Sequence, residues 1–129
     1  MPRVLVVVPD WQVPRIRSTG DAQVVFEGQL VKCHCVADVI AAAGSSFVTI
    51  SPVAPTLTKP GYGPALGVAG VRAAVEVAEG MPVYALGGVD VDNAHSFLEA
   101  GAYGVAVMGS VLRAEDPNRV VRLLVEALR

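Results

Sequence analysis

The chain has 129 residues, of which 53% are hydrophobic and 17% charged, with 13 Gly, 9 Pro and a formal net charge of −2. This balance excludes intrinsic disorder, which needs low hydrophobicity and high net charge, and a coiled coil, which needs a composition rich in Glu, Lys and Leu. The small net charge does not favour binding to a nucleic-acid backbone. The length fits one domain, and the mean hydropathy of +0.51 indicates an apolar surface or a partner.

Cysteine usage and the apolar runs bear on the compartment. Cys33 and Cys35 lie two residues apart, too close for an ordinary structural disulfide. The first apolar run is shorter than the hydrophobic region of a signal peptide. The longest uncharged stretch, 39–58, is interrupted by Pro and Gly and is a poor membrane span. We therefore expect a soluble, cytoplasmic protein that binds neither membrane nor nucleic acid.

Short β-branched runs alternate with Ala-rich helical patterns along the chain. The run 3–8 predicts a buried strand, because continuous apolar runs are typical of parallel sheets covered on both faces. The segment 11–28 is the least periodic part and holds at most a short extended piece at 23–26. The remaining patterns predict four strand–helix repeats, with strands at 29–35, 47–53, 82–86 and 104–108 and helices at 36–43, 67–79, 90–100 and from 116 onward.

This order predicts an α/β fold of parallel strands joined by right-handed crossovers. We expect a single domain over 1–129, made of a first strand at 1–10, an irregular connector at 11–28 and βα repeats at 29–129. Parallel βα folds bind ligands at the carboxyl ends of their strands. Candidate functional residues are therefore sought where the predicted strands end.

Glycines follow the last two predicted strands. Gly87 and Gly88 end one of them, and Met108 and Gly109 end the next. Glycine lets backbone N–H groups approach an anion closely, and a following helix N-terminus adds the positive end of its dipole. The same glycines are as typical of tight turns, so phosphate binding and turn formation both stay open at this point.

Two hydroxyls and a cation lie on the loop 54–66. Thr56, Thr58 and Lys59 would form a cradle for a phosphate or diphosphate, with Lys59 as a compact point charge. The alternative is a solvated surface loop.

His34 stands at the end of the second predicted strand. Imidazole titrates near neutral pH, so His34 is a candidate general acid or base, although a lone histidine is more often structural. Metal binding by Cys33, His34 and Cys35 is disfavoured. Neighbouring strand residues point to opposite faces, and no second cysteine pair completes a tetrahedral site.

These stretches, in this order and spacing, resemble the thiamine phosphate synthase family, which includes the related thiazole tautomerases. The resemblance runs from about Val31 to Arg129 and rests on four stretches, namely Lys32-Cys33-His34-Cys35, Ser51 to Gly61, Pro82 to Val89 and Ala100 to Met108. It implies a TIM barrel. It also implies a synthase that joins hydroxymethylpyrimidine diphosphate to a thiazole phosphate, releases pyrophosphate and uses Mg²⁺.

The resemblance also implies roles for individual residues. Those implied to bind phosphate or substrate are Thr56, Thr58, Lys59, Gly87, Gly88, Met108 and Gly109. The implied catalytic residues are Lys59 and His34, the latter at the place of a proton-transfer histidine in the tautomerase branch. Fixed cations and N–H donors of this kind would stabilise the charge of a departing diphosphate.

The chain departs from the family pattern in several places. Lys32 replaces a small hydroxyl residue, Ala54 an aromatic one and Gly109 a common Ser. The run 3–10 looks like the first strand of the family barrel and 29–35 like the fifth, so about three βα units have no counterpart. Those units carry the acidic Mg²⁺ ligands. Mg²⁺ is therefore expected only for a synthase, and its ligands cannot be identified.

Three functions stay open: a synthase, a tautomerase, which needs only the retained features, and a degenerate relative that binds a phosphorylated ligand or self-associates. A whole barrel takes about 250 residues, so we expect a partial barrel with two strand edges and an uncovered inner face. This predicts a homodimer or higher homo-oligomer, with 11–28 capping an edge or exchanging between chains. The expected small-molecule partner is a phosphorylated thiazole or pyrimidine.

Overall fold

The computed structural model describes residues 1–12, 15–55 and 64–129. Its six strands are β1 (Val4–Val8), β2 (Ala22–Phe26), β3 (Lys32–Cys33), β4 (Val48–Ile50), β5 (Val83–Leu86) and β6 (Gly104–Val107). Its five α-helices are α1 (Val36–Ala41), α2 (Gly67–Ala78), α3 (Ala94–Glu99), α4 (Gly109–Leu112) and α5 (Pro117–Ala127), and a 3₁₀ turn spans Glu27–Gln29. None of the helices in these ranges has the length and apolar character needed to cross a membrane.

All six strands lie parallel in one sheet, in the order β2-β1-β6-β5-β4-β3. Strand β1 pairs with β6 in the register Val4↔Val105 and with β2 in the register Val4↔Ala22. The first strand thus neighbours the last, and the six strands form one contiguous arc, as a partial barrel requires. The connector 11–28 contributes a sixth, five-residue strand, where the sequence predicted only a short extended piece.

The two faces of the sheet carry different cores. On one face, alternate strand residues such as Val6, Ile50 and Ala85 pack in a large buried cluster together with buried residues of the helices. The opposite face, called the inner face here, holds a smaller buried cluster of Leu5, Val7, Tyr84 and Ala106. In a closed barrel this second set of side chains would fill the interior.

A five-residue connection, 27–31, joins the two opposite edges of the sheet. Five gaps of about 4.8 Å would separate the edge strands of a flat sheet by about 24 Å. The six Cα steps from Phe26 to Lys32 reach at most about 20–22 Å when fully extended. The sheet must therefore curl. This connection, the crossing segment, passes over the inner face, where Leu30 packs against the buried cluster.

Both edges of the sheet are blunted by the chain itself. The outward N–H groups of β2 donate to side-chain oxygens in the pairs Ala22 to Thr19, Val24 to Ser18 and Phe26 to Gln29. At the other edge, β3 has only two residues and begins with Lys32. Occupied N–H groups, short edge strands and edge charges all discourage pairing with another chain. Capping of an edge was one of the two roles expected for the segment 11–28.

Strand β3 is shorter than the predicted 29–35. The residues before it are used to cross from the opposite edge, and the N–H of His34 after it donates to Asp38 Oδ2 at 2.9 Å. This hydrogen bond joins His34 to the first turn of α1, so the strand ends at Cys33.

The helices differ from the predicted ones chiefly at α3 and α4, while α1 and α2 end one or two residues earlier than predicted. Helix α3 begins at Ala94 and not at Asp90, because the Asp90 carboxylate accepts the N–H groups of Asp92 and Asn93 and forms a separate turn. A four-residue helix, α4, follows β6 directly and was not predicted. The predicted start of α5 is confirmed, since Asp116 accepts the N–H of Arg119 at 3.2 Å and Pro117 follows it.

Candidate active site

The carboxyl ends of β3, β4, β5 and β6 lie next to one another, because these strands are parallel and adjacent. His34, Ser51, Gly87 and Met108 each stand at or just beyond one of these ends. The structure therefore brings the predicted histidine and both predicted glycine turns to one edge, called the carboxyl edge. Thr56, Thr58 and Lys59 lie outside the described residues and stay predictions.

His34 is held by Ser51 of the neighbouring chain segment. The imidazole Nδ1 lies 3.0 Å from the carbonyl oxygen of Ser51 and 3.3 Å from its Oγ. A carbonyl oxygen can only accept, so the shorter contact requires that Nδ1 carries the proton. Nε2 then carries the lone pair. This is the tautomer in which Nε2 can act as a base.

Asp38 fixes the backbone at the same point. Its carboxylate accepts the N–H of His34 and also bonds the backbone and side chain of Cys35. The bond from His34 is the largest cause that lowers the pKa of Asp38, and the bonds from Cys35 act in the same direction. Asp38 therefore stays a carboxylate where an ordinary Asp would begin to protonate.

The strand alternation expected for the Cys-His-Cys triplet does not extend over it, because β3 ends at Cys33 and Cys35 is the N-cap of α1. Cys33 is buried in the large cluster on the helix-covered face, and burial is the largest cause that raises the pKa of its thiol. Cys35 is exposed. Cys33 therefore lies in the core and Cys35 at the surface.

The Gly87-Gly88 turn is required by close packing of two loops. Both glycines have positive φ, +95° and +74°. A Cβ on Gly88 would lie 2.5 Å from the carbonyl oxygen of Ala54 and 2.6 Å from that of Pro55. One on Gly87 would lie 2.9 Å from the backbone of Pro52. Close packing against the segment 52–55 and the positive φ values are therefore enough to explain why both residues are glycine.

Gly109 has different surroundings. A Cβ on Gly109 would collide with the guanidinium of Arg113, whose side chain folds back over the first turn of α4. The second glycine turn thus places a cation beside the residues predicted to receive a phosphate.

Sequence reasoning missed three residues of this edge: Ser51, Asp38 and Arg113. Arg113 was not detectable, because its approach to Gly109 depends on α4, a helix that the sequence did not predict. Asp38 was detectable, as an acidic residue three positions after the Cys35 N-cap of α1. The contact of Ser51 with His34 required the pairing of β3 with β4.

These features define a curled, parallel βα sheet with a histidine and two glycine turns along one edge. Comparisons with known proteins agree. The model of a family described as thiamine monophosphate synthase matches residues 31–111, which is more than half of the chain. The chain belongs to the thiamine monophosphate synthase family.

Individual relatives show how much of the family fold is present. A thiamine-phosphate synthase from Salinispora tropica is 46% identical over 87 residues, which cover 67% of this chain and 41% of that protein. One from Thermus thermophilus is 45% identical over 85 residues, which cover 66% and 41%. The chain therefore spans less than half the length of the curated relatives it matches.

Solved structures give the same picture of the fold. Thiamine phosphate pyrophosphorylase from Pyrococcus furiosus matches with a TM-score of 0.65 and 27% identity, over 79% of this chain and 50% of that one. A chain of the Amycolatopsis orientalis BexX/CysO complex matches with a TM-score of 0.59 and 20% identity, over 84% and 42%, and supports the fold alone. The chain is a truncated relative of the barrel.

The described residues do not form a site for the Mg²⁺ that the family resemblance implies. Within 1–12, 15–55 and 64–129, no three His, Cys, Asp or Glu side chains are placed to hold a metal ion. Two acidic residues, Asp10 and Glu27, follow β1 and β2, and each already has a hydrogen-bond or ion-pair partner. Asp10 Oδ1 accepts the N–H of Gly28 at 3.1 Å, and Glu27 Oε1 lies 2.7 Å from Lys32 Nζ.

Proposed function

We propose that the carboxyl edge binds a thiazole phosphate or thiamine phosphate and that His34 transfers a proton on the bound ligand. The observation that carries this proposal is the bond from Nδ1 to the Ser51 carbonyl, which leaves Nε2 as the basic nitrogen. It occurs within residues 31–111, the part matched by the family model.

The phosphate belongs beside the turn that follows β6. Backbone amides near Met108 and Gly109 supply N–H donors, and the exposed guanidinium of Arg113 supplies a cation. The amides of Gly87 and Gly88 on the neighbouring strand end are the second predicted source of donors. Thr56, Thr58 and Lys59 remain predicted phosphate contacts, with Lys59 as the cation for a diphosphate.

The chemistry that this arrangement supports is a proton shift. Nε2 takes a proton from one carbon of the bound ring and, as imidazolium, returns a proton to another position. Bonds and charge balance without an oxidant, a reductant or a second substrate. This is the thiazole tautomerase activity inferred from the retained residues.

Synthase activity is the second candidate, because the relatives that match carry the name thiamine-phosphate synthase. It would require Mg²⁺, for which the described residues form no group of three ligands. A relative that binds the phosphorylated ligand without turnover is the third candidate.

Self-association is part of the proposal. Exposed apolar side chains, among them Val36 and Ile40 on α1 and Trp11 after β1, support a homo-oligomer more than the blunted strand edges do. Light scattering on the eluting peak would report the mass, and a monomer at micromolar concentration contradicts this part. A cytoplasmic location also stays a prediction.

His34→Ala tests the proposed function directly, with His95→Ala as its control. His95 is the other histidine, exposed on α3 and paired with Glu99 at 3.0 Å. We expect His34→Ala to lower tautomerase kcat by about 100-fold or more. Its affinity for thiazole phosphate in calorimetry should change by less than about threefold, and His95→Ala should match the wild type in both.

Each class of result assigns a function. Binding without turnover in the wild type identifies a ligand-binding relative. Absence of binding by thiazole phosphate, thiamine phosphate and pyrophosphate overturns the site. Full turnover in His34→Ala would show that His34 does not transfer the proton.

A further inference from the structure

His34, the proposed proton-transfer residue, follows the shortest strand of the sheet. β3 is an edge strand of two residues, so the backbone of His34 has a neighbouring strand on one side only. A histidine at such a point would ordinarily sample several ring orientations, because little fixes its backbone. In this chain the outward N–H of His34 is bonded by Asp38 Oδ2 at 2.9 Å.

Asp38 connects three parts of this corner. It lies in the first turn of α1, it accepts the N–H of His34, and it bonds both the backbone and the side chain of Cys35, which is the N-cap of the helix. A carboxylate in the first turn is also favoured by the helix dipole. The carboxylate therefore ties the last residue of the strand to the start of the helix.

The ring of His34 is fixed from the other side. Its Nδ1 lies 3.0 Å from the Ser51 carbonyl on the segment that follows β4. The imidazole has only two side-chain torsions. Nδ1 can therefore reach the Ser51 carbonyl only if the His34 backbone keeps a fixed position relative to β4. The hydrogen bond that the His34 N–H donates to Asp38 Oδ2 fixes the backbone in that position.

We propose that Asp38 is a positioning residue that decides which nitrogen of His34 carries the proton. It holds the strand end so that Nδ1–H meets the Ser51 carbonyl and Nε2 becomes the acceptor. The structural claim stands on the geometry alone, and its catalytic consequence rests on the proposed function.

The second histidine provides an internal reference. His95 Nε2 lies 3.0 Å from Glu99 Oε1, and a carboxylate accepts, so neutral His95 carries its proton on Nε2. The chain has only two histidines. The geometry thus predicts one histidine of each tautomer in the same protein.

The test is a ¹⁵N spectrum of the imidazole nitrogens at about pH 9, above the ordinary range of imidazole titration. In the wild type we expect His34 as Nδ1–H and His95 as Nε2–H. In Asp38→Ala the Nδ1–H to Nε2–H ratio of His34 should fall about tenfold, the range of one net hydrogen bond. Asp38→Asn keeps an acceptor oxygen and should restore most of that ratio.

Asp116→Ala is the control, because the Asp116 carboxylate also accepts a backbone N–H at the start of a helix, that of Arg119 at α5. It should cost similar stability and leave the His34 tautomer unchanged. Ser51→Ala keeps the carbonyl and should also leave it unchanged. If Asp38→Ala folds poorly, concentrated sucrose favours the folded state, and the His95 signal and far-UV circular dichroism report folding.

A His34 tautomer ratio that stays within about twofold of the wild type in folded Asp38→Ala overturns the proposal and leaves Asp38 as a residue that only stabilises the first turn of α1. If the proposed function holds, kcat should fall in Asp38→Ala while KM for the phosphorylated thiazole does not change. If the proposed function fails, the wild type shows no turnover, yet the tautomer change persists. The two failures are therefore distinguishable.

Discussion

The two ends of the sheet are built in different ways. At the amino end, the Arg3 guanidinium lies 4.3 Å from the centroid of the Tyr103 ring and donates to the Tyr103 carbonyl at 2.6 Å. The hydroxyls of Tyr84 and Tyr103 donate to the carbonyl oxygens of Pro2 and Met1. Aromatic rings and backbone oxygens thus close this end from within.

At the carboxyl end, charged and basic side chains reach the surface. His34 and Arg113 are exposed, and Asp38 is half-buried. Parallel βα barrels keep stability at the amino ends of the strands and function at the carboxyl ends. The comparison teaches that the amino end of this sheet is closed by internal contacts while the carboxyl end exposes polar side chains, with one exception, the tightly packed Gly87-Gly88 turn.

Gly88→Ala tests that exception and should have the largest effect of all. The new Cβ would meet two backbone carbonyl oxygens at 2.5–2.6 Å, and the residue must also keep φ at +74°. We expect the free energy of unfolding to fall by about 3 kcal/mol or more, from backbone strain and overpacking together. Urea denaturation measures it.

Gly80→Ala separates the two causes. Gly80 has φ +89° and nothing within 4 Å of its added Cβ, so only the backbone strain applies. A loss of about 1–2 kcal/mol is expected there. Equal losses of unfolding free energy in Gly88→Ala and Gly80→Ala would show that the contact with Ala54 and Pro55 does not contribute to the destabilisation.

Tyr84→Phe tests the amino end and should have an intermediate effect. Tyr84 is fully buried, and its removed hydroxyl leaves the Pro2 carbonyl without that donor. We expect a loss of about 1 kcal/mol in the free energy of unfolding at neutral pH.

The same variant has a distinct pH signature. Burial raises the pKa of Tyr84 to about 12, from an ordinary value of 10.0. The stabilising effect of the neutral phenol is complete below pH 10. Between about pH 10 and 12 the unfolded chain releases the proton while the folded chain keeps it, so stability falls as pH rises. Tyr84→Phe should show a shallower alkaline loss, and an identical slope would contradict this assignment.

Arg113→Gln tests the carboxyl end and should have the smallest effect on stability. The side chain is exposed, so the melting temperature should stay within about 2 °C. Affinity for thiazole phosphate should fall by about 5–10-fold, because one charge-assisted contact is lost. Arg122→Gln, an equal charge change on the exposed face of α5, is the control. Equal weakening in both would mean that only net charge matters.

Much of the sheet was predictable from the sequence. The apolar runs at Val4–Val8, Val83–Leu86 and Gly104–Val107 each match a strand, because strands buried on both faces leave a continuous apolar signal. The order of these strands followed from the family resemblance and not from the patterns. Pairing of β1 with β6 joins residues about a hundred positions apart, which no local pattern encodes.

The rest depended on tertiary contacts. Strand β2 is stabilised by Ser18 and Thr19 bonding its outer edge, a contact that the irregular sequence of the connector does not signal. At the site, the residue types at the strand ends were informative, but their mutual bonds were not. The glycine pattern could not distinguish a turn pressed against another backbone, as at Gly88, from one facing an arginine, as at Gly109.

The position of β1 between β2 and β6 has a consequence for the order in which the chain can fold. Val4 cannot meet Val105 until most of the chain has been synthesised. Until then β1 and β2 form at most an isolated parallel pair, which is marginal in water. β1, although it lies inside the finished sheet, therefore gains its second neighbour only after β6 has been made, and one apolar edge of β1 stays unpaired while the residues between them are synthesised.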